Sequence, residues 1–160
     1  MLNCNDSAWA HIKFAHISTW ISTWFGLGLM KHAPGTWGSL GALPCMVCAF
    51  TYGGMMVYAT LGLSIAVLGL WAAMRFSAMT STQDHKMIVV DEVAGQWIAS
   101  TPVFLFTGAD PIFLLLSFAL FRLFDITKPF PVGWIDRRMK NPYGVMLDDI
   151  VAGIMTACIM

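Results

Sequence analysis

This sequence predicts an all-α bundle embedded in a membrane, and three observations carry that reading. The first is composition: 58% of the 160 residues are hydrophobic and 11% are charged, against about a quarter charged in ordinary soluble domains. The second is the stretch from Ala33 to Met74, which holds no Asp, Glu, Lys or Arg and is long enough for two helices of about 20 residues, the length that crosses a bilayer. The third is the lack of any clear alternation of apolar and polar residues of the kind a half-buried strand shows. The length suits one compact domain over residues 1–160.

Taken in order, residues 1–25 read as an amphipathic helix, with Ile17, Trp20, Ile21 and Trp24 at helical spacing and His11, Lys13, Ser18 and Ser22 elsewhere on the wheel. A Trp-rich helix of this kind suits a membrane surface; ordinary core packing is the alternative. No positive region followed by a short apolar run and a small-residue cleavage site is visible, so no signal peptide is expected. Next comes GLGLMKHAPGTWGSLGALP, residues 26–44. Its glycines and prolines suggest a loop whose backbone approaches a ligand and presents amide hydrogens to an anion at a helix N-terminus. Lys31, Thr36 and Ser39 add donors there. Glycines that simply let helices pack are the alternative, and the spacing is not that of a Walker loop, so no nucleotide is expected.

MMVYATLGLSIAVLGLWAAM, residues 55–74, is the clearest single span, and shorter apolar runs follow at 93–109, 111–121 and 150–160. Extended by the charged turns beside them, these give about three to five crossing or re-entrant helices. The four cysteines read as small buried hydrophobes, because the CMVC step has no second pair or His cluster to complete a zinc site. Net charge is zero with no basic patch, which excludes nucleic acid as a partner.

The acidic residues are the informative ones. Apart from Asp6 and Asp110 they fall in three segments: DHKMIVVDE (84–92), FRLFDITKPFPVGWIDRR (121–138) and GVMLDDI (144–150). Ionisable groups beside membrane-depth helices are functional candidates. The plainer account is that Asp91 with Glu92, and Asp148 with Asp149, merely favour helix N-termini through the dipole. Arg122, Asp125 and Lys128 recur every third residue, on one helical face, before Pro129 and Pro131 end the helix. That face is either a self-neutralising salt-bridged turn or a site for an anion and a metal, since Arg offers a planar fork to phosphate and Lys a point charge. Hard oxygen donors without clustered His or Cys suit Mg2+, with Asp91, Glu92, Asp125, Asp148 and Asp149 as candidates.

The blocks HAPGTWGSL, DHKMIVVDEVAG, FRLFDITKPFPVGWID and GVMLDDIVAG, in this order, resemble the successive motifs of the phosphatidylglycerophosphatase A family. The resemblance covers most of the chain from residue 26 and leaves out the N-terminal helix and residues 55–80. It implies an all-helical, membrane-associated, Mg2+-dependent lipid phosphatase that removes the terminal phosphate of phosphatidylglycerophosphate to give phosphatidylglycerol, in bacterial inner membranes. Carried over by position, the acidic motif is Asp84, Asp91 and Glu92, the FDxxKP motif Arg122, Asp125 and Lys128, and the closing pair Asp148 and Asp149. In the glycine loop the matches are Pro34, Gly35, Thr36, Gly38 and Ser39; the His85 to Met87 stretch is given no role.

The resemblance thus implies catalytic roles for Asp91, Glu92, Arg122, Asp125 and Lys128, and phosphate binding by Thr36, Gly38, Ser39, Arg122 and Lys128, to which the loop's own donors add Lys31. The expected Mg2+ ligands are Asp84, Asp91, Glu92, Asp125, Asp148 and Asp149; the resemblance does not assign the general base, and Glu92 is the candidate because neighbouring side chains about 100° apart on a helix can divide ligand and base roles. Covalent phosphatase signatures such as Cys-x5-Arg and DxDx(T/V) are absent, so direct hydrolysis is expected. The catalytic layer should sit at headgroup level with apolar helices below it, and Arg137, Arg138 and Lys140 would set that side in the cytoplasm. A small transporter or proton-relay protein is the rival reading. It would want charges near mid-membrane and two repeated halves, and no repeat is visible.

Overall fold

The computed structural model describes residues 16–80 and 86–160, and the regular elements there are all helical. α1 (Ile17–Ser22) leads through a 3-10 turn (Leu27–Leu29) to α2 (Pro34–Thr80), followed by α3 (Val90–Phe106), α4 (Pro111–Thr127), α5 (Val132–Arg138) and α6 (Pro142–Ile159). The all-α expectation is met. Local chemistry explains the starts: α2, α4 and α6 each open on a proline, whose missing N–H and fixed φ suit a first helical position. Asp110 caps α4, its Oδ1 accepting from the amides of Ile112 at 2.8 Å and Phe113 at 3.4 Å, and Asn141 caps α6 by accepting from Gly144 at 2.9 Å.

α2 is two helices in sequence. Gly54, at φ 63° and ψ −167°, sits in a region open essentially to glycine alone and divides the element into arms of residues 34–53 and 55–80. The uncharged stretch does hold two helices, and the second starts where the clearest span in the sequence starts. Both arms return to one end of the molecule, since Gly38 on the first packs against Val89 and Gly69 on the second against Val90. From there α3 runs away, α4 runs back, and α6 runs away again.

α3 is the central helix. Tyr58 and Trp97 clip it to α2 reciprocally: the Tyr58 hydroxyl donates to the Trp97 carbonyl at 2.6 Å, and the Trp97 Nε1 donates to the Tyr58 carbonyl at 3.0 Å. The fully buried Gln96 donates to Ser100 Oγ at 2.9 Å, and Ser100 lies 3.0 Å from Ser117 on α4. Such bridges serve where lipid supplies no hydrophobic drive between helices. Against α6 the backbones themselves meet. A Cβ on Gly153 would overlap the carbonyl oxygen of Gly95, and one on Gly95 would lie 2.6 Å from the carbonyl oxygen of Asp149.

The outside of the bundle is apolar. Tyr52, Met56, Leu63, Phe106, Ile112 and Ile154 are all exposed, a surface far larger than the isolated patches of soluble monomers. Among the described residues, two helices are long and apolar enough to cross a membrane, α2 and α6, and only 17% of the most apolar window of α2 is buried, unlike the core helix of a soluble protein. α3 and α4, at 17 residues each, stand at the short end of the spanning range. The protein is membrane-associated.

Two expectations need correction. Cys45, Cys48 and Cys158 are exposed instead of buried, because they lie on the outward apolar faces. The N-terminal segment does not present one apolar face: Trp24 is buried and Ile21 half-buried, while Ile17 and Trp20 point outward and Ser18, Thr19 and Ser22 point inward. The helix stops at Ser22 and the turn that follows carries Trp24 into the core; residues 1–15 of that expected helix lie outside the described residues.

The α3–α6 contact yields a prediction. Gly153→Val should cost about 1–3 kcal/mol through overpacking, read as a lower melting temperature of the detergent-solubilised protein; unchanged melting would refute the close contact.

Candidate active site

The end of the bundle where both arms of α2 meet α3 also receives the C-terminal turn of α4 and the N-terminal turns of α6. These elements enclose a cleft of about 300 Å³ lined by Asp91 and Glu92 of α3, Arg122 and Asp125 of α4, Lys128, and Asp148 and Asp149 of α6, with Ala33, Pro34 and Gly35 at the start of α2. Three segments far apart in sequence thus converge on one site. Asp84 lies outside the described residues.

The glycine-loop residues fare differently. The expected loop over residues 26–44 is only half loop, because Pro34 begins α2. Lys31 is exposed, Thr36 half-buried and Gly38 buried against Val89, and none of them lines the cleft. Ser39 is buried, with its hydroxyl donating to the Gly35 carbonyl at 3.0 Å. What reaches the cleft from this segment is the first turn of α2, whose leading amides have no partner within the helix.

Charge in the cleft is arranged in two groups. Arg122 Nη1 lies 2.6 Å from Asp125 Oδ2 and 3.8 Å from Glu92 Oε1, yet the angles leave the buried Nε and Nη1 without a hydrogen-bond acceptor. Lys128 has left the helical face of Arg122 and Asp125, because it caps α4 in the left-handed conformation at φ 45°. Its Nζ donates to Asp136 Oδ1 and Asp148 Oδ2, both at 2.7 Å. Burial alone would lower the Lys128 pKa, and the two carboxylates outweigh it, holding the ammonium above its ordinary value. The hydrogen bond from Lys128 in turn holds the Asp136 carboxyl below the usual range.

The donor set fits a divalent cation. Asp91, Glu92 and Asp149 each offer a carboxylate oxygen within 4.8 Å of the others. Glu92 Oε2 and Asp148 Oδ1 are buried without a hydrogen-bond partner, an arrangement that costs free energy unless something compensates it. Among the described residues, five carboxylates and three cations (Lys86, Arg122, Lys128) line the cleft, a formal −2 that one divalent ion would neutralise. Asp91 and Glu92 stand outside both candidate spans. Without such an ion, burial pushes Asp91 up to about 7 and Glu92 well above its ordinary value, and Asp91 raises Glu92 further.

The family model for phosphatidylglycerophosphatase A matches residues 20–160. The chain belongs to the phosphatidylglycerophosphatase A family. It is 35% identical over 140 residues to the phosphatidylglycerophosphatase A of Haemophilus influenzae, covering 85% of this chain and 82% of that protein. To the phosphatidylglycerophosphatase A of Escherichia coli it is 33% identical over 155 residues, covering 97% and 88%. A third relative, from Bacteroides thetaiotaomicron, whose name proposes a phosphatidylinositol-3-phosphatase activity, is 34% identical over 146 residues, covering 84% and 85%. No solved structure matches. As a member of the phosphatidylglycerophosphatase A family, the chain is a phosphatase.

Sequence reasoning placed Gly35 only in a ligand-approaching loop and gave no site role to Gly95, Gly153 or Asp136. Gly35 is needed because a Cβ there would overlap Glu92 Oε1 and lie 3.3 Å from Arg122 Nη1. Gly95 and Gly153 let Asp91 and Asp149 approach, and their signal was present: each glycine stands four residues after the acid, in DEVAG and DIVAG.

Two outcomes are expected. A divalent cation at a hundred times its dissociation constant should stabilise the wild type by about 2.7 kcal/mol, seen as a raised melting temperature, and Asp149→Asn should lose that rise. Gly35→Ala should displace Glu92 and lower turnover on the order of 10²-fold with little change in melting; wild-type turnover would show that the cleft tolerates the methyl group.

Proposed function

We propose that the protein hydrolyses the terminal phosphate of phosphatidylglycerophosphate, giving phosphatidylglycerol and inorganic phosphate, with Mg2+ in the acidic cluster. The observation that carries the reading is Arg122: a guanidinium whose buried Nε has no acceptor and whose Nη1 is ion-paired to Asp125, set between the first turn of α2 and a group of carboxylates fit for a metal. The names of the Haemophilus and Escherichia relatives supply the lipid.

In this reading Asp91, Asp149 and one oxygen of Glu92 would hold Mg2+, with Asp125 and Asp148 at its edge. When bound, the ion would supply charge neutralisation at the phosphoryl oxygens and acidify a water. Arg122 donates from Nε and Nη1 to phosphate oxygens, and Lys128 donates its remaining N–H, so both oppose the charge that grows on phosphate in the transition state. Glu92 accepts the proton of the attacking water at its buried Oε2, which has no hydrogen-bond partner within the protein. As the water oxygen bonds to phosphorus, the oxygen–phosphorus bond to glycerol breaks, and the departing oxygen takes up the proton that Glu92 accepted. The water-facing end of the helices then lies at headgroup level, with the acyl chains against the exposed apolar faces.

Placing Arg137, Arg138 and Lys140 beside this end favours the cytoplasmic face of the bacterial inner membrane by the positive-inside rule, and a role in phospholipid biosynthesis follows from the product. The transporter reading is not favoured, since the carboxylates gather at one end of the helices and trace no path between the two ends.

The test is phosphate release from phosphatidylglycerophosphate in detergent micelles. Release is expected with Mg2+, none with EDTA, and about 10²-fold less with Arg122→Gln. Release from phosphatidylinositol 3-phosphate but not from phosphatidylglycerophosphate would overturn the assigned substrate.

A further inference from the structure

Asp136 does not line the cleft, yet the fold aims it into the cleft's chemistry. α5 is packed so closely over the end of α4 that a Cβ on Gly133 would overlap the Lys128 carbonyl oxygen, and Val132 is fully buried in the core with Phe121 and Ala152. Asp136 follows Val132 by four residues and Gly133 by three, so it shares their helical face and stands over the Lys128 side chain, 2.7 Å from Nζ. On the cleft side the same Nζ is 2.7 Å from Asp148 Oδ2. An ammonium carries three N–H donors; Asp136 and Asp148 occupy two, so together they fix the direction of the third. Lys128 also fixes Asp148, leaving that residue's buried Oδ1 without a partner at the cleft.

We propose that Asp136 is a positioning residue, which holds the Lys128 ammonium between α5 and α6 so that its third N–H points at the substrate phosphate and Asp148 keeps its free oxygen in the cleft. Lys128 is a flexible chain on a backbone in the left-handed conformation. With Asp148 as its sole partner it would pivot about one hydrogen bond and collapse onto the acidic cluster. The second carboxylate, from an element that does not otherwise touch the chemistry, prevents this. Lys140 pairs with the other Asp136 oxygen at 3.5 Å and is well exposed, so it adds little to the arrangement.

The proposal rests on the reading of Lys128 as a phosphate donor, and a double-mutant cycle separates the two. With phosphatidylglycerophosphate micelles and Mg2+, Lys128→Ala should lower turnover about 10²-fold and Asp136→Ala on the order of tenfold, each retaining wild-type melting behaviour. In the Lys128→Ala background the Asp136→Ala change should have no further effect, and Asp136→Glu alone should recover most of the activity. An equal loss from Asp136→Ala in both backgrounds, or no loss in either, overturns the positioning role while leaving Lys128 in place. Full activity of Lys128→Ala overturns the reading of Lys128 itself, and the positioning role with it.

Discussion

The contact of Gly95 with Gly153 is the constraint on which the site depends. Each glycine lies one helical turn beyond an acid, Asp91 in one case and Asp149 in the other, so the distance between two backbones sets the distance between two carboxylates. Side chains at these positions would push α3 and α6 apart. Apolar helices in lipid gain little from mere mutual burial, and close backbone approach through small residues is a main source of their attraction. One contact therefore does two things: it holds the centre of the bundle together, and it gathers oxygen ligands into a group compact enough for a cation.

The same geometry decides where charge can stand. Carboxylates are tolerated beside apolar helices only where water, a counter-charge or an ion reaches them. Here the charged residues of the cleft lie toward one end of a helix or in the loop beyond it, with Asp148 and Asp149 about two turns into α6, and the break at Gly54 makes the topology deliver those ends to one place. Had the first charge-free stretch formed one unbroken rod, Pro34 and Ala73 could not both border the cleft. Glycine at that single position thus links the backbone conformation of the most apolar segment to the assembly of the polar site.

Much of this was legible in the sequence because its signals were local or compositional. The uncharged stretch of residues 33–74 gave two helices, Pro129 and Pro131 gave the end of another, and the acidic segments gave the partners of the cleft. The pairings were not legible. Regular spacing placed Arg122, Asp125 and Lys128 on one face, but Lys128 sits at the cap, where a left-handed residue redirects its side chain to Asp136 and Asp148. Period arguments assume that the helix continues, and they fail at the residue where it stops. The glycine loop was misjudged for a related reason: a proline followed by glycine suggests a turn, whereas in this chain Pro34 opens a helix and Gly38 packs it against Val89. Burial of Ser18 and Ser22, with Ile17 and Trp20 outside, also defeats the wheel, because in an apolar solvent the rule of hydrophobic residues inward loses its force.

That inversion bears on how the site is kept polar. A soluble enzyme lowers the polarity of its site by enclosing it in a hydrophobic core, whereas this bundle has apolar surface on its outside and must keep its polar groups from being drawn into the helices. Lys128 shows the means. Its ammonium is held from two sides, by Asp148 on a candidate span and by Asp136 on the short α5, an element whose polar last turn, Arg137 and Arg138, marks it as facing water. The strap between α4 and α6 is thus more than a connection, because it brings a carboxylate from the aqueous side against a cation whose other partner belongs to the helices. Electrostatic pairing across that boundary fixes the depth of the site, joining Asp148 within α6 to Lys128 at the cap of α4 and Asp136 on α5.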